Sequence, residues 1–255
     1  MNWTTFAALL MRDAHVARRN ILTLFLQTML QPLLFVFVFG QVMTRSGLMT
    51  DAYKSMLLPG IIAVTMVMAG VQAVSVPIII ELLTKEIEDR LLAPMGTHWL
   101  AVEKIVAGMV QALLAGAVVL PAAWLMMGRH IGVSFAHPGQ FVAVMLLVAL
   151  LASAGGLALG CSVKQAHLGL IFSLILGPMI MFGCAYYPWS ALGSFPILQM
   201  VVLVNPVVYA SEGLRGTLAP QVPHMPVLLV IAVLVGIDIA LIAFGMNRFQ
   251  HKTVK

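Results

Sequence analysis

Charged residues are scarce in this sequence: Asp, Glu, Lys and Arg supply 9% of its 255 residues, whereas 61% are hydrophobic and the mean hydropathy is +1.03. So little charge excludes a soluble globular domain, because such a domain needs polar side chains to cover its surface. Long polar stretches are also lacking, which leaves no room for a separate soluble domain. We therefore predict an all-α integral membrane protein whose single transmembrane domain occupies residues 1–255.

The patterns of catalytic and metal-binding sites are lacking too. No glycine is followed by lysine, so the phosphate-binding pattern G-x-x-x-x-G-K-[ST], in which backbone amides and a lysine hold phosphates, does not occur. The seven histidines are scattered over termini and loops without the spacing of metal ligands. We predict no catalytic residue, no metal site and no cofactor site in this chain.

Apolar runs of about 20 residues are abundant, and a helix of that length crosses about 30 Å of hydrocarbon. They predict transmembrane helices at Ile21–Val42, Leu57–Ile80, Ile105–Met127, Phe141–Val163, Leu168–Tyr187 and Val227–Met246. In the fourth of these six spans, Ala152, Gly156 and Gly160 recur at every fourth position, which predicts close helix packing. Cys161 and Cys184 fall at opposite ends of two spans, too far apart for a disulfide, and are expected to be small core residues.

The placement of Lys and Arg predicts the orientation of these spans. A cytoplasmic N-terminus leaves only four of the 14 basic residues outside, namely Arg45, Lys54, Arg129 and Arg215. Both termini are therefore predicted to lie in the cytoplasm, with the chain in the inner or plasma membrane. Anionic lipid headgroups account for the net charge of +5, which does not imply nucleic acid. The periodicity of Trp3–Asn20 predicts an interfacial helix, and the alternative is a basic anchor that runs straight into the first span.

Charge is concentrated between the second and third spans, where Glu81–Lys104 holds five of the nine acidic residues. Such a cluster is expected to lie in water, on a face that another protein can contact. Its apolar residues share one side of a helix that Pro94 ends, which fits either a docking helix or an ordinary solvated loop helix. The candidate coupling residues are Leu83, Glu86, Ile87, Asp89, Arg90, Leu91 and Pro94.

Between the fifth and sixth spans, Tyr186–Leu218 contains an apolar core that is too short to cross a bilayer and is interrupted by prolines. This pattern predicts a re-entrant hairpin or a pair of interfacial helices on the outer side. The candidate residues of this segment are Tyr187, Pro188, Asn205, Pro206, Tyr209 and Arg215.

Polar residues inside a span must face other helices or a wet cavity, because lipid offers them no hydrogen bonds. Gln27, Gln31, Gln72 and Asp238 are therefore candidates for a translocation path. Asp238 is the one acid deep in a predicted span. Its role is left open between a polar group on the path, a proton carrier and a structural hydrogen bond to another helix.

The segment LLAPMGTHWLAVEK, the segment NPVVYASEGLRG and the layout of the spans together resemble the permease subunit of type-2 ABC transporters. That class includes small drug-resistance and lipo-oligosaccharide export permeases. The first segment is similar to the family's coupling helix and its Leu-Leu-x-x-Pro turn, and the second to an Asn-Pro-x-x-Tyr signature followed by Leu-Arg. The resemblance implies an ATP-driven exporter of an amphipathic, drug-like or lipid-linked substrate. It also implies a second permease copy or a close homologue, and two copies of a cytoplasmic ATPase subunit that bind ATP and Mg²⁺.

Two functions of other classes compete with this interpretation. A secondary transporter could couple to protons through Asp238, but the duplicated halves and matching discontinuous helices typical of such transporters are not detectable in the sequence. A membrane-embedded enzyme is disfavoured because no paired acids, nucleophile and base, or metal ligands converge.

Overall fold

The computed structural model describes residues 11–12, 30, 32–43, 46–47, 51–84, 96–127, 132–135, 137–163, 169 and 172–253. The α-helices within these ranges are α1 Asp51–Thr84, α2 Thr97–Met127, α3 Pro138–Ser162, α4 Gly177–Met181, α5 Pro196–Val201, α6 Pro206–Leu218 and α7 Val227–Thr253. Shorter turns of 3-10 helix cover Trp189–Ser194 and Val202–Val204, and π-helical turns cover Val38–Val42 and Phe172–Leu176.

Four of the described helices, α1, α2, α3 and α7, are long and apolar enough to cross a membrane. They contain the predicted second, third, fourth and sixth spans, and each except α3 extends well beyond its predicted bounds. A fifth crossing is possible if the pair Pro196–Val204 and Pro206–Leu218, bent by 98°, counts as one span. The described residues therefore provide four of the six predicted spans, and the bent pair lies in the segment that was predicted to be re-entrant or interfacial.

The centre of the bundle is the contact of α1 with α2 and α3, and it depends on small residues. A Cβ atom on Gly156 would lie 2.8 Å from the Val71 carbonyl oxygen, and one on Gly160 would lie 3.1 Å from Cα of Ser75. The first distance leaves no space for a Cβ and the second is tighter than most Cβ contacts, so the backbones of α1 and α3 lie very close together. The predicted packing role of this small-residue ridge is confirmed.

The predicted fifth span, Leu168–Tyr187, is not one continuous helix in the structure. The helical turns of Phe172–Leu176 and α4 end at Met181, and the chain then turns through residues 182–187. Cys184 has a positive φ of 53°, and a Cβ on Gly183 would lie 2.5 Å from Val207. The apolar run did not reveal this end, because the run continues where tertiary packing turns the chain away from the helix.

Part of the predicted first span is described, and it is helical over residues 32–43. Phe35 and Phe39 stack on each other, and their rings lie 5.1 and 6.4 Å from the ring of Tyr186. Of the predicted interfacial helix Trp3–Asn20, only Met11 and Arg12 are described; both are helical and exposed, and the rest lies outside the described residues.

Candidate functional site

The predicted coupling residues belong to the connection between α1 and α2. Leu83 lies in the last turn of α1, 51% exposed, on the same continuous helix as the predicted second span. The remaining six, Glu86, Ile87, Asp89, Arg90, Leu91 and Pro94, lie outside the described residues. The structure therefore describes the two helix ends on either side of this connection, namely the C-terminal end of α1 and the N-terminal end of α2.

An ion pair joins the end of α1 to the beginning of α2, on either side of the connection. Lys104 Nζ in the second turn of α2 donates to Glu81 Oε1 in the last turn of α1 at 3.0 Å. The two side chains are only 4% and 8% exposed. The prediction that the charged cluster lies in water is wrong for both residues and for Glu103, which is fully buried. The reason is that α1 and α2 pack side by side here, and for Glu81 and Lys104 an opposite charge takes the place of water.

Helix α7 meets α2 and α3 at the same end of the bundle, the predicted inner end. Phe249 is buried in an apolar cluster with Leu100. Gln250 Nε2 is hydrogen-bonded to His98 Nδ1 in the first turn of α2. These contacts join α7 to α2, the helix that follows the predicted coupling residues.

At the opposite, predicted outer end, Asn205 and Pro206 form the corner of the bent helix pair. Asn205 Oδ1 accepts from the Val207 amide at 3.0 Å and caps α6, while Asn205 Nδ2 donates to the Met179 carbonyl at 2.6 Å. Pro206 occupies the first turn, where its missing N–H is no loss. Tyr209 Oη donates to the carbonyl of Leu203 at 2.9 Å and fixes the turn before the corner.

Arg215 lies in α6 and is fully buried, although the sequence analysis counted it among the charges outside the membrane. Its Nη1 is bonded to Glu212 Oε1, and its Nη2 donates to the carbonyl of Cys184 at 2.7 Å. Its Nε donates to the carbonyl of Met56 in α1 at 3.4 Å. A buried guanidinium requires such a set of acceptors, because unpaired charges are strongly disfavoured away from water.

Glu212 completes this buried pair. Oε1 accepts from the backbone amide of Trp189 at 3.0 Å, and Oε2 accepts from the amide of Met225 at 2.9 Å. The pair of Glu212 and Arg215, here called the outer polar centre, therefore connects α1, the turn at residues 182–187, the 3-10 helix after Pro188, α6 and the segment before α7. It fixes the segment that was predicted to be re-entrant to the bundle.

The two remaining candidates of the outer segment lie beside this centre. Tyr187 Oη donates to the carbonyl of Met181 at 3.2 Å, and Pro188 is the extended residue from which the 3-10 helix Trp189–Ser194 begins. Both cysteines, Cys161 and Cys184, are buried and free, as predicted.

Among the candidates for a translocation path, Gln72 and Asp238 are described. Gln72 is half-buried on α1, and Asp238 is 2% exposed on α7. Neither carboxylate oxygen of Asp238 has a hydrogen-bond partner among the described residues. A structural hydrogen bond from Asp238 to another helix, one of its three candidate roles, is therefore not found among the described residues. Gln27 and Gln31 lie outside the described residues.

Sequence reasoning missed Glu212 and the partnership of Glu81 with Lys104. Glu212 and Arg215 are three residues apart in a helix, which is the spacing of a side-chain pair, and this signal was available. Glu81 and Lys104 are 23 residues apart, and no local pattern pairs them. Only the packing of α1 on α2 does.

The four long apolar helices and the bent helix pair define a multi-pass α-helical membrane protein. The chain belongs to the ABC-2 type transporter family, whose model matches residues 4–219. It is a membrane transport permease of that family, a class of subunit that works with an ATPase partner in an ABC transporter. The chain is 25% identical over 221 residues to the inner membrane transport permease YadH of Escherichia coli strain K12, covering 84% of this chain and 82% of that protein. The protein of the same name from Shigella flexneri matches to the same extent. No solved structure matches the chain.

Proposed function

We propose that this chain is the membrane subunit of an ATP-driven exporter with six spans and both termini in the cytoplasm. Two copies, or one copy and a close homologue, form the translocation path, and each is bound by a separate ATPase subunit. ATP and Mg²⁺ bind to the ATPase subunits, since this chain lacks a phosphate-binding loop. Membership of the ABC-2 family and the arrangement at the predicted inner end support this proposal.

The observation that carries the proposal is the ion pair between Glu81 and Lys104. It joins the last turn of α1 to the second turn of α2, directly on either side of the predicted docking segment. A displacement of that segment by an ATPase subunit acts on both helices at once. The connection is therefore built to transmit movement rather than to absorb it.

The contact of α1 with its neighbours carries such a movement further. A Cβ on Gly108 of α2 would lie 2.3 Å from Val74 of α1, and one on Gly70 of α1 would lie 2.5 Å from Ala152 of α3. Helices in such close contact move together, because a packed interface has discrete arrangements and deforms little between them. Movement at the inner end then reaches the outer polar centre through α1.

An amphipathic substrate, drug-like or lipid-linked, fits the half-buried face of α1. Gln72 lies on this face together with Val76 and Ile80, which are 36% and 48% exposed. A face with one amide among apolar side chains matches a molecule with a polar head and an apolar body. Export, rather than import, follows from the resemblance to drug-resistance and lipo-oligosaccharide permeases.

A proton-coupled secondary transporter remains the alternative, and the buried, unpartnered carboxylate of Asp238 favours it. The two functions differ in their source of energy. Transport in reconstituted vesicles that needs ATP and ignores an imposed pH gradient supports the exporter. Transport driven by the gradient without ATP, and lost in Asp238→Asn, supports the alternative.

Co-expression with the cognate ATPase tests the coupling itself. The chain alone in lipid should not hydrolyse ATP, and with the ATPase it should purify as a complex. Glu86→Lys, Asp89→Lys and Leu91→Asp should each weaken or abolish this complex while membrane insertion is retained. Gln221→Lys, a charge change at an exposed position of the opposite end, is the matched control. Docking variants that bind the ATPase and transport like the unaltered chain would refute this function for the segment.

A further inference from the structure

Asp238 is a buried acid in α7 that contacts no basic side chain among the described residues. It lies on the buried face of α7 with Val230, Leu234 and Gly245, and its side chain is 2% exposed. Both carboxylate oxygens lack a hydrogen-bond partner among the described residues. By contrast, the buried acids Glu81 and Glu212 each contact a basic side chain.

The contacts of α7 with α3 define what Asp238 faces. A Cβ on Gly245 would lie 3.2 Å from Leu157, and Lys252 Nζ donates to the carbonyl of Val163 at 3.4 Å. The two helices therefore run in the same direction along this length. Asp238 precedes Gly245 by two turns, which places it beside the apolar run Leu147–Ala152 of α3.

Charged and titratable groups on the elements packed against α7 lie elsewhere. Helix α3 has no acidic, basic or histidine residue; its titratable Cys161 lies in its last turn, and Tyr209 lies in the first turn of α6. On α2, α6 and α7 these groups are His98, Glu103, Lys104, Glu212, Arg215, Arg248, His251 and Lys252. Those of α2 lie in its first two turns, and those of α6 bind each other. The first basic residue of α7 after Asp238, Arg248, is about 15 Å further along the helix axis.

We propose that Asp238 is a proton-binding site: its carboxyl is a neutral acid while α7 packs on α3, and it releases its proton when the two helices separate. An ionised carboxylate without a partner is strongly disfavoured in apolar surroundings, whereas a protonated carboxyl is far less so. The site is built by the packing of two helices. It stands independently of ATPase coupling, so its failure and the failure of the proposed export function are separate results.

The pH dependence of stability tests this proposal, because unfolding is the limiting case of helix separation. The folded chain holds one proton that the unfolded chain releases above the ordinary Asp pKa of about 4. Stability of the full chain should therefore fall, relative to Asp238→Asn, as pH rises from about 5 to about 8, by up to tenfold in the unfolding equilibrium constant per pH unit. Asn247→Asp, which adds an acid at an exposed position of the same helix, should not produce this slope.

Carbodiimide labelling of the unaltered chain provides a second readout that needs no variant. A protonated carboxyl adds to a carbodiimide: its proton goes to one nitrogen, its oxygen bonds to the central carbon, and acyl transfer to nitrogen leaves a stable acylurea with no group lost. In lipid vesicles, the apolar dicyclohexylcarbodiimide should label Asp238, as located by mass spectrometry, and a water-soluble carbodiimide should not. Glu212, which is buried but paired with Arg215, is the internal control that stays unlabelled.

The two readouts also define what overturns the proposal. Parallel pH profiles for the unaltered chain and Asp238→Asn would mean that folding takes up no proton at this residue. Labelling of Asp238 by the water-soluble reagent in the resting chain would mean that its carboxyl faces water. Either result removes the proton-binding site.

Discussion

Glu81 and Lys104 are 23 residues apart in the sequence and meet as a buried ion pair, with Lys104 Nζ 3.0 Å from Glu81 Oε1. The pair links the helix that enters the predicted docking segment to the helix that leaves it. Because both charges are buried, removing either residue takes a close opposite charge away from the other. The contact therefore holds together the two helix ends on either side of the predicted docking segment.

Removing one partner of this pair should destabilise the chain strongly. We expect Lys104→Met, which keeps the length of the side chain, to lower the free energy of unfolding by about 3 to 5 kcal/mol, because the buried Glu81 then loses its basic partner at 3.0 Å. Thermal unfolding in detergent measures this. Lys252→Met at an exposed position is the control, with an expected loss of less than about 1 kcal/mol. The swap Glu81→Lys with Lys104→Glu should recover much of the loss, and a swap as unstable as the single variants would show that the pair itself contributes little.

The outer polar centre should behave as a coupled unit. Glu212→Ala leaves Arg215 unpaired and two backbone amides without acceptors, so we expect a loss of about 3 to 5 kcal/mol. Arg215→Ala should cost a similar amount. The double variant should lose clearly less than the sum, since the two residues share bonds. Additive losses in a double-mutant cycle of thermal stability would contradict the network.

Gly60 allows α1 to approach the turn at residues 182–187. A Cβ there would lie 1.8 Å from the carbonyl oxygen of Ala185, a backbone atom that cannot move aside cheaply. We expect Gly60→Ala to lower the melting temperature and to disturb the outer end. Gly236→Ala is the matched control, because nothing lies within 4 Å of its Cβ position and alanine favours helix by up to about 1 kcal/mol. Equal tolerance of both changes would mean that α1 and the turn are not in contact.

The predicted orientation can be tested with single cysteines at exposed positions. Ser46 and Gln221 should react with an impermeant thiol reagent added outside the cell, and Thr84 and His251 should not. Thr217 would be a poor reporter, because the structure places it 2% exposed. The native cysteines are buried and should give a low background. Labelling of Thr84 from outside would invert the topology and place the predicted docking segment on the wrong side for a cytoplasmic ATPase.

The sequence by itself determined the class of the protein and the location of four described spans. The free energy of transferring a 20-residue helix into lipid depends mainly on the summed hydropathy of its residues, and this sum can be read from a local stretch of sequence. The Ala152, Gly156 and Gly160 ridge was also readable, because helical spacing places these residues on one face. The Asn205 and Pro206 corner was visible as a break in an apolar run, although its bonds were not.

Tertiary structure alone decided which charges are buried and where the predicted fifth span leaves its helix. An arginine is expected at the surface from its charge. Arg215 is nevertheless fully buried, because its guanidinium donates to the carbonyls of Met56, 159 residues away, and of Cys184. Glu81 and Lys104 are buried because two helices place opposite charges side by side, and Asp238 because two helices enclose it without any partner among the described residues. Whether a side chain is buried depends on which residues pack around it in the folded chain. A single sequence does not state which distant residues those are.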